Sequence, residues 1–245
     1  MAIKTSTAAV NSTIKAIQQI TNGSLSSGLT LLAGSRGCGK TIFSGQYAFE
    51  VLQAGGKVVW ITTEELPSTL REEMKGFGWD ATRHESERRF VIYDAVSPSR
   101  LGLSENIGHG MLGLDPTGML IVISEHLRSL DAGAREQERF LFVLDSVSRL
   151  LLSCDSRAVV DFISCLNSRM ENAGVRGLAL VSDEVHEEKL LNSLIFSSSG
   201  TIRFRVSEQN ESRTRQLRVE TMRGKRHDDS WKNYLITNTG LDIWI

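Results

Sequence analysis

The chain has 245 residues, 40% hydrophobic and 7% aromatic, enough to bury a sizeable core, and this length suits one large α/β domain over 1–245 better than two small ones. Its 28 Lys and Arg against 29 Asp and Glu leave a net charge of −1, so no overall field draws it to nucleic acid or an anionic membrane. The longest apolar stretches, such as 119–123, fall far short of the roughly 20 residues of a membrane span, which argues against membrane insertion. Cys38, Cys154 and Cys165 are an odd number without metal spacing, and the N-terminus lacks a secretory layout; both point to a reducing cytoplasm.

Residues 1–24 read as an N-terminal extension or helix. Residues 29–33 (Leu-Thr-Leu-Leu-Ala) form an apolar strand that stops at Gly34, and 41–54 form a helix ended by Gly55-Gly56. A second strand, 57–63, precedes a helix that starts at Pro67 and carries Leu70, Met74 and Phe77 on one face. Residues 90–93 suggest a third strand, 102–118 a Gly-rich surface loop ending in Asp-Pro, and 119–130 an apolar-striped helix. The strand 140–144 ends at Asp145; Val159, Ile163, Leu166 and Met170 mark a further helix, and 178–182 another buried strand. Apolar strands alternating with helices predict a mostly parallel sheet flanked by helices, an α/β architecture. The tail differs: 201–206, 217–221, 234–237 and 242–245 read as short strands, an antiparallel extension of the same sheet.

The strongest chemical signal is Gly34-Ser35-Arg36-Gly37-Cys38-Gly39-Lys40-Thr41, a Walker A P-loop between a strand and a helix. Glycines let the backbone curl so that N–H groups point at phosphate oxygens, and the helix N-terminus, opening through Ile42, adds partial positive charge. Lys40 reaches the β and γ phosphates and Thr41 offers a hydroxyl to Mg2+. ATP with Mg2+ is therefore the expected ligand pair. Asp145, at the tip of a parallel strand taken to neighbour that of the P-loop, is the second magnesium residue. Glu64-Glu65, at the end of the strand 57–63, offers a water-activating base. Alternation along a strand would allow only one of the two to face the phosphate.

The segment 34–79, with Gly-Lys-Thr, Phe43-Ser44-Gly45-Gln46, Thr63-Glu64-Glu65-Leu66-Pro67 and Phe77-Gly78-Trp79-Asp80, resembles the KaiC family of RecA-superfamily ATPases. The likeness continues through Asp145-Ser146, Met222-Arg223-Gly224-Lys225-Arg226-His227 and Ile236-Thr237-Asn238-Thr239-Gly240, in a single copy. The resemblance implies a RecA-like fold and a ring of identical subunits, commonly a hexamer, with ATP bound between protomers and hydrolysed slowly to ADP and phosphate as a regulatory switch toward a protein partner. It implies that Glu64 polarises the attacking water. From the neighbour, Met222, Arg223, Lys225 and His227 would approach the nucleotide, with Thr237 and Asn238 near its base or ribose. Arg223 would be the cationic finger on the γ-phosphate. Autophosphorylation on a serine or threonine occurs in the resembled family.

The family often has a lysine two residues before that arginine; here Thr221 stands there. This departure motivates an alternative, a non-hydrolysing ATP-binding adaptor similar to the ATP-sensing subunit of the archaeal flagellar motor. A third reading, a DNA-binding recombinase paralogue, is countered by the acidic segment 183–189. Arg203, Arg205, Arg213, Arg215 and Arg218 alternate with apolar residues as on an exposed sheet face. Inward N–H groups around Cys38 would stabilise a thiolate, which makes it a candidate alkylation site shielded by ATP, against a bland reading as a small tolerated side chain. His84, His109, His126 and His186 lack paired spacing for zinc.

Overall fold

Strands that are apolar on both sides need cover on both faces of the sheet, and β2 (Gly28–Ala33) and β5 (Phe140–Asp145) are buried at every position. The structure, a computed structural model, describes residues 9–10, 12–97, 113–129, 139–209 and 212–245. The remaining strands are β1 (Ala9–Val10), β3 (Lys57–Thr62), β4 (Phe90–Asp94), β6 (Arg176–Val181), β7 (Gly200–Gln209), β8 (Ser212–Met222), β9 (Lys232–Thr237) and β10 (Gly240–Trp244). They form one sheet in the order β1-β10-β9-β8-β7-β2-β6-β5-β3-β4.

Helices α1 (Thr13–Thr21), α2 (Lys40–Gln53), α3 (Pro67–Gly76) and α4 (Thr82–Ser86) lie on one face; α5 (Pro116–Arg128), α6 (Val147–Ser153), α7 (Ser156–Ala173) and α8 (Glu188–Phe196) lie on the other. Alternation splits the core accordingly. Leu32, Trp60 and Val143 pack with Phe43 and Tyr47 of α2, whereas Leu31, Ile61 and Leu144 pack with Ile163 and Met170 of α7. Ile202, Phe204, Leu217 and Val219 of β7 and β8 join only the α2 side, so the opposite face of the antiparallel half has no helix over it among the described residues. That is the physical origin of the arginine alternation.

Three expectations need correction. β7 runs parallel to β2, with Thr30 opposite Gly200, so the antiparallel extension starts only at β8. β7 and β8 span 10 and 11 residues, longer than expected, and carry the hairpin beyond the P-loop edge. The Asp-Pro pair starts a helix: Asp115 accepts from the N–H groups of Thr117 and Gly118, and Pro116 takes the first turn, three residues before the expected 119. Residues 102–112 and Leu130 lie outside the described residues. Helix α8, absent from the sequence reading, buries Leu191 and Leu194 against the α7 layer.

Candidate functional site

The loop 34–39 leaves β2 and enters α2 at Lys40. Gly34 is required by close approach: a Cβ there would lie 2.6 Å from the Phe204 carbonyl oxygen and 2.8 Å from its Cβ. Gly39 caps α2 with φ 99°, a left-handed conformation open to glycine. The Lys40 ammonium donates to the carbonyls of Gly34 at 2.7 Å and Ser35 at 2.8 Å, so the loop's own backbone sets its position. From behind, Tyr234 of β9 donates to the Cys38 carbonyl, and Ile236 approaches Gly39.

A cavity of about 350 Å³ opens over this loop. Arg36, Gly37, Gly39, Lys40, Thr41 and Ile42 line one side, and Glu64, Glu65, Glu73, Asp145 and Ser146 the other. Strand β6 lies between β2 and β5, so Asp145 is not on the strand adjacent to the P-loop as expected. The two meet because the Thr41 hydroxyl reaches across to hydrogen-bond the Asp145 carboxylate. Strand β3 ends at Thr62, so alternation does not govern the next residues, and Glu64 and Glu65 both border the cavity. Their turn is fastened to β5. The Thr63 N–H donates to the Asp145 carbonyl at 2.7 Å, its hydroxyl to the Ser146 carbonyl at 2.9 Å, and Thr62 Oγ1 to the Glu65 carbonyl at 2.6 Å. Ser146 Oγ donates to Glu64 Oε1, which makes Ser146, read from sequence as a turn residue, the group that aims Glu64.

Burial pushes the Asp145 carboxyl up to about 7, and the negative charge of Glu64 adds to this. Glu65 is also raised, by burial and then by Glu73 and Glu64. Like charges crowded at a buried position are what a divalent cation relieves. Among the described residues no three His, Cys, Asp or Glu side chains converge as a metal cage. Mg2+ needs none, since it keeps waters and takes one or two carboxylates together with substrate phosphates. The Thr41–Asp145 pair, beside an anion-binding loop, fits it.

The remaining candidates lie elsewhere. Met222 faces Gly200 near the start of β7, level with Thr30 of β2, and the Arg223 N–H donates to the Ser199 carbonyl at 2.8 Å. Arg223, Lys225 and His227 therefore occupy the amino end of the parallel strands, opposite the P-loop. Lys225 donates to the Ser24 carbonyl, and His227 Nδ1 lies 3.3 Å from the Lys225 carbonyl. The Met222 side chain is 4% exposed and packs inward, so a surface role for it is corrected to a core one. Thr237 ends β9 and Asn238 opens the β9–β10 turn, at the P-loop end of their own chain. They thus stand apart from the Met222–His227 turn with which the resemblance grouped them.

Cys38 is fully buried, and burial raises its thiol despite Lys40 nearby, which removes the expectation of a reactive thiolate. Arg203 pairs with Glu220 at 2.8 Å and Asp183 at 3.6 Å, Arg218 pairs with Glu220, and the guanidinium groups of Arg205 and Arg218 lie over the Trp231 ring. His84 is a core residue edge-on to Phe49, and His126 lies 2.8 Å from the Tyr93 hydroxyl, its pKa pushed down to about 4 by burial; His109 lies outside the described residues. No helix among the described residues is long and apolar enough to cross a membrane.

Comparison with known proteins agrees with this fold. The UPF0273 protein of Aeropyrum pernix is 28% identical over 218 residues, 88% of this chain and 85% of that one. The circadian clock oscillator protein KaiC of Picosynechococcus sp. is 25% identical over 244 residues, 96% of this chain but 44% of its own length. The circadian clock protein KaiC3 of Synechocystis sp. is 47% identical over 66 residues, covering 27% of this chain and 13% of that one. The crystal structure of a KaiC-like protein from Pyrococcus horikoshii shares the fold, with a TM-score of 0.75 at 22% identity over 98% of this chain and 100% of the other. Residues 10–244 match the ATPase family described as KaiC, and the chain belongs to that family.

Proposed function

We propose that the chain binds ATP with Mg2+ in the cavity above β2, β5 and β3, and hydrolyses it slowly at sites completed by a neighbouring copy in a ring, hexameric by family analogy. Its nucleotide state would act as a regulatory switch toward a protein partner. The observation that carries this reading is the polarity of the sheet. Lys40, Thr41, Asp145 and Glu64 share one cavity, while Arg223 stands at the far end of the same strands. An arginine so placed can serve a phosphate only on another molecule.

The P-loop N–H groups and Lys40 would hold the phosphates, and Thr41 and Asp145 would hold the metal. Bound Mg2+ would neutralise phosphate charge. Glu64, aimed by Ser146, would orient the attacking water and take up its proton, with Glu65 a second carboxylate at the same wall. Arg223 of a neighbour would offset charge growing on the γ-phosphate oxygens. Thr237 and Asn238, at the P-loop end of the sheet, would meet the base or ribose. The continuous sheet supports one ATPase domain over the whole chain, and three free cysteines support a reducing cytoplasm. Light scattering with and without ATP and Mg2+, alongside phosphate release measured against Lys40→Ala, tests the reading. A particle unchanged in size by nucleotide, with release equal to the blank, overturns it.

Thr221, exposed where the family often carries lysine, favours one second reading, the ATP-binding adaptor without turnover. Intact ATP binding with release equal to the Lys40→Ala blank selects it. The DNA-binding reading is weakened by Arg203 and Arg218, whose charges are met by Asp183 and Glu220.

A further inference from the structure

An exposed arginine offered to another subunit loses about 2 kcal/mol of side-chain freedom when it engages, unless its own chain already holds it. Arg223 is held. Its Nη1 donates to Glu171 Oε1 at 3.1 Å and its Nη2 to the Phe196 carbonyl at 3.3 Å. A guanidinium has five N–H donors in a planar fork, so two such contacts on one side leave others to face outward. Its side chain is 56% exposed.

Glu171 is itself anchored. Ser199 Oγ lies 2.5 Å from Glu171 Oε1 and 2.8 Å from Asn167 Oδ1. The hydroxyl has one hydrogen for these two acceptors, and the ionised carboxylate is the stronger one. Asn167 Oδ1 is left to accept the Leu29 N–H at 2.7 Å. Ser199 is fixed by its own N–H, which donates to the Leu29 carbonyl at 2.8 Å, so the line from Glu171 ends on the backbone of β2. Ser199 is 1% exposed. A surface ion pair alone contributes little stability, yet here a buried serine supports one. A buried hydroxyl committed behind an exposed salt bridge is what positioning demands.

We infer that Glu171, backed by Ser199, is a positioning residue that pre-orders Arg223 for the γ-phosphate bound by a neighbouring copy. The inference rests on the trans-arginine reading above. Preordering acts on turnover and not on ATP capture, because the nucleotide's own chain holds the phosphates and metal.

The test measures steady-state ATP turnover and nucleotide binding for the full chain, with particle size checked by light scattering. Glu171→Ala is expected to lower kcat by about 3–10-fold with KM within about twofold, and Glu171→Gln, which keeps an acceptor for Arg223, to recover at least half of the loss. Combined with Arg223→Ala, Glu171→Ala should add nothing, since it acts only through that side chain. Wild-type kcat in Glu171→Ala, a rise in kcat, or losses that multiply with those of Arg223→Ala would overturn the inference. Should Glu171→Ala fail to fold, Ser199→Ala and Glu171→Gln carry the same comparison, and wild-type kcat in both overturns it. Wild-type turnover in Arg223→Ala alone would instead remove the trans-arginine reading beneath it.

Discussion

At the carboxyl end of the sheet, Lys40, Thr41, Asp145 and the Glu64–Glu65 turn are fixed around one cavity by bonds between segments distant in sequence, Thr63 to Ser146 and Tyr234 to Cys38 among them. At the amino end, Arg223, Lys225 and His227 sit on a turn after β8, held by backbone carbonyls and Glu171. The six residues of β2 put roughly 20 Å between the two ends. The first region lines a cavity with phosphate- and metal-type side chains; the second presents cations. On the function proposed above, each would be half of a site completed between molecules.

The largest expected effect separates the halves directly. Lys40→Ala should lose ATP binding and lower turnover by at least about 100-fold, whereas Arg223→Ala should lose a similar factor in turnover while ATP binding survives. Mixing the two inactive proteins should then restore activity, because some interfaces pair an intact P-loop with an intact arginine. A mixture as inactive as its components would break the comparison.

Of intermediate size is the effect of protonation at Asp145. Its pKa, raised to about 7 in the folded chain, exceeds the unfolded value of about 3.9, so the folded state holds the proton more tightly. This stabilises the ligand-free fold fully below about pH 4, and the benefit is lost as pH rises through about 7. Asp145→Asn, which carries no charge to bury, should therefore exceed the wild type by about 1–3 kcal/mol at pH 8, with the gap closing toward pH 4. Urea unfolding across this range reads it. In the wild type, Mg2+ with ATP should stabilise more at pH 8 than at pH 6, since metal and proton compete for one carboxylate, and Asp145→Asn should lose that dependence.

Smaller still is the effect of Ser146→Ala. It leaves Glu64 in place without its aiming hydrogen bond and should lower turnover about 3–10-fold with ATP affinity unchanged. Unchanged turnover would transfer the role of base to Glu65, the other carboxylate at the same wall.

How much of this was legible beforehand depends on the range of the interaction. The P-loop, strand β5 and Asp145 at its tip follow from local pattern, because strand, loop and helix are consecutive. Strand order is not local: nothing in the run 140–144 says that β6 intervenes before β2. The Glu64–Glu65 turn defeated alternation because β3 ends two residues earlier. Tyr234 meeting Cys38 joins segments 196 residues apart, and no spacing rule reaches so far. At the amino end, the motif identified Arg223, but its supports, Glu171 and Ser199, lie in a helix and a strand junction that show no motif.

The smallest expected effect concerns a surface belonging to neither end. On the face of β7 and β8 that carries no helix among the described residues, Trp231 lies under two guanidinium groups, 3.9 Å from Arg205 and 4.7 Å from Arg218. Trp231→Ala removes both contacts and should cost about 1 kcal/mol of stability, read as a small shift in urea midpoint at constant slope. Turnover and assembly should stay at wild-type levels, because the arginines keep their partners Gln216 and Glu220 and touch neither Arg223 nor the cavity. A severe loss of assembly would mean that a neighbour also uses this open face, and contacts between copies would then extend beyond the two ends of the sheet.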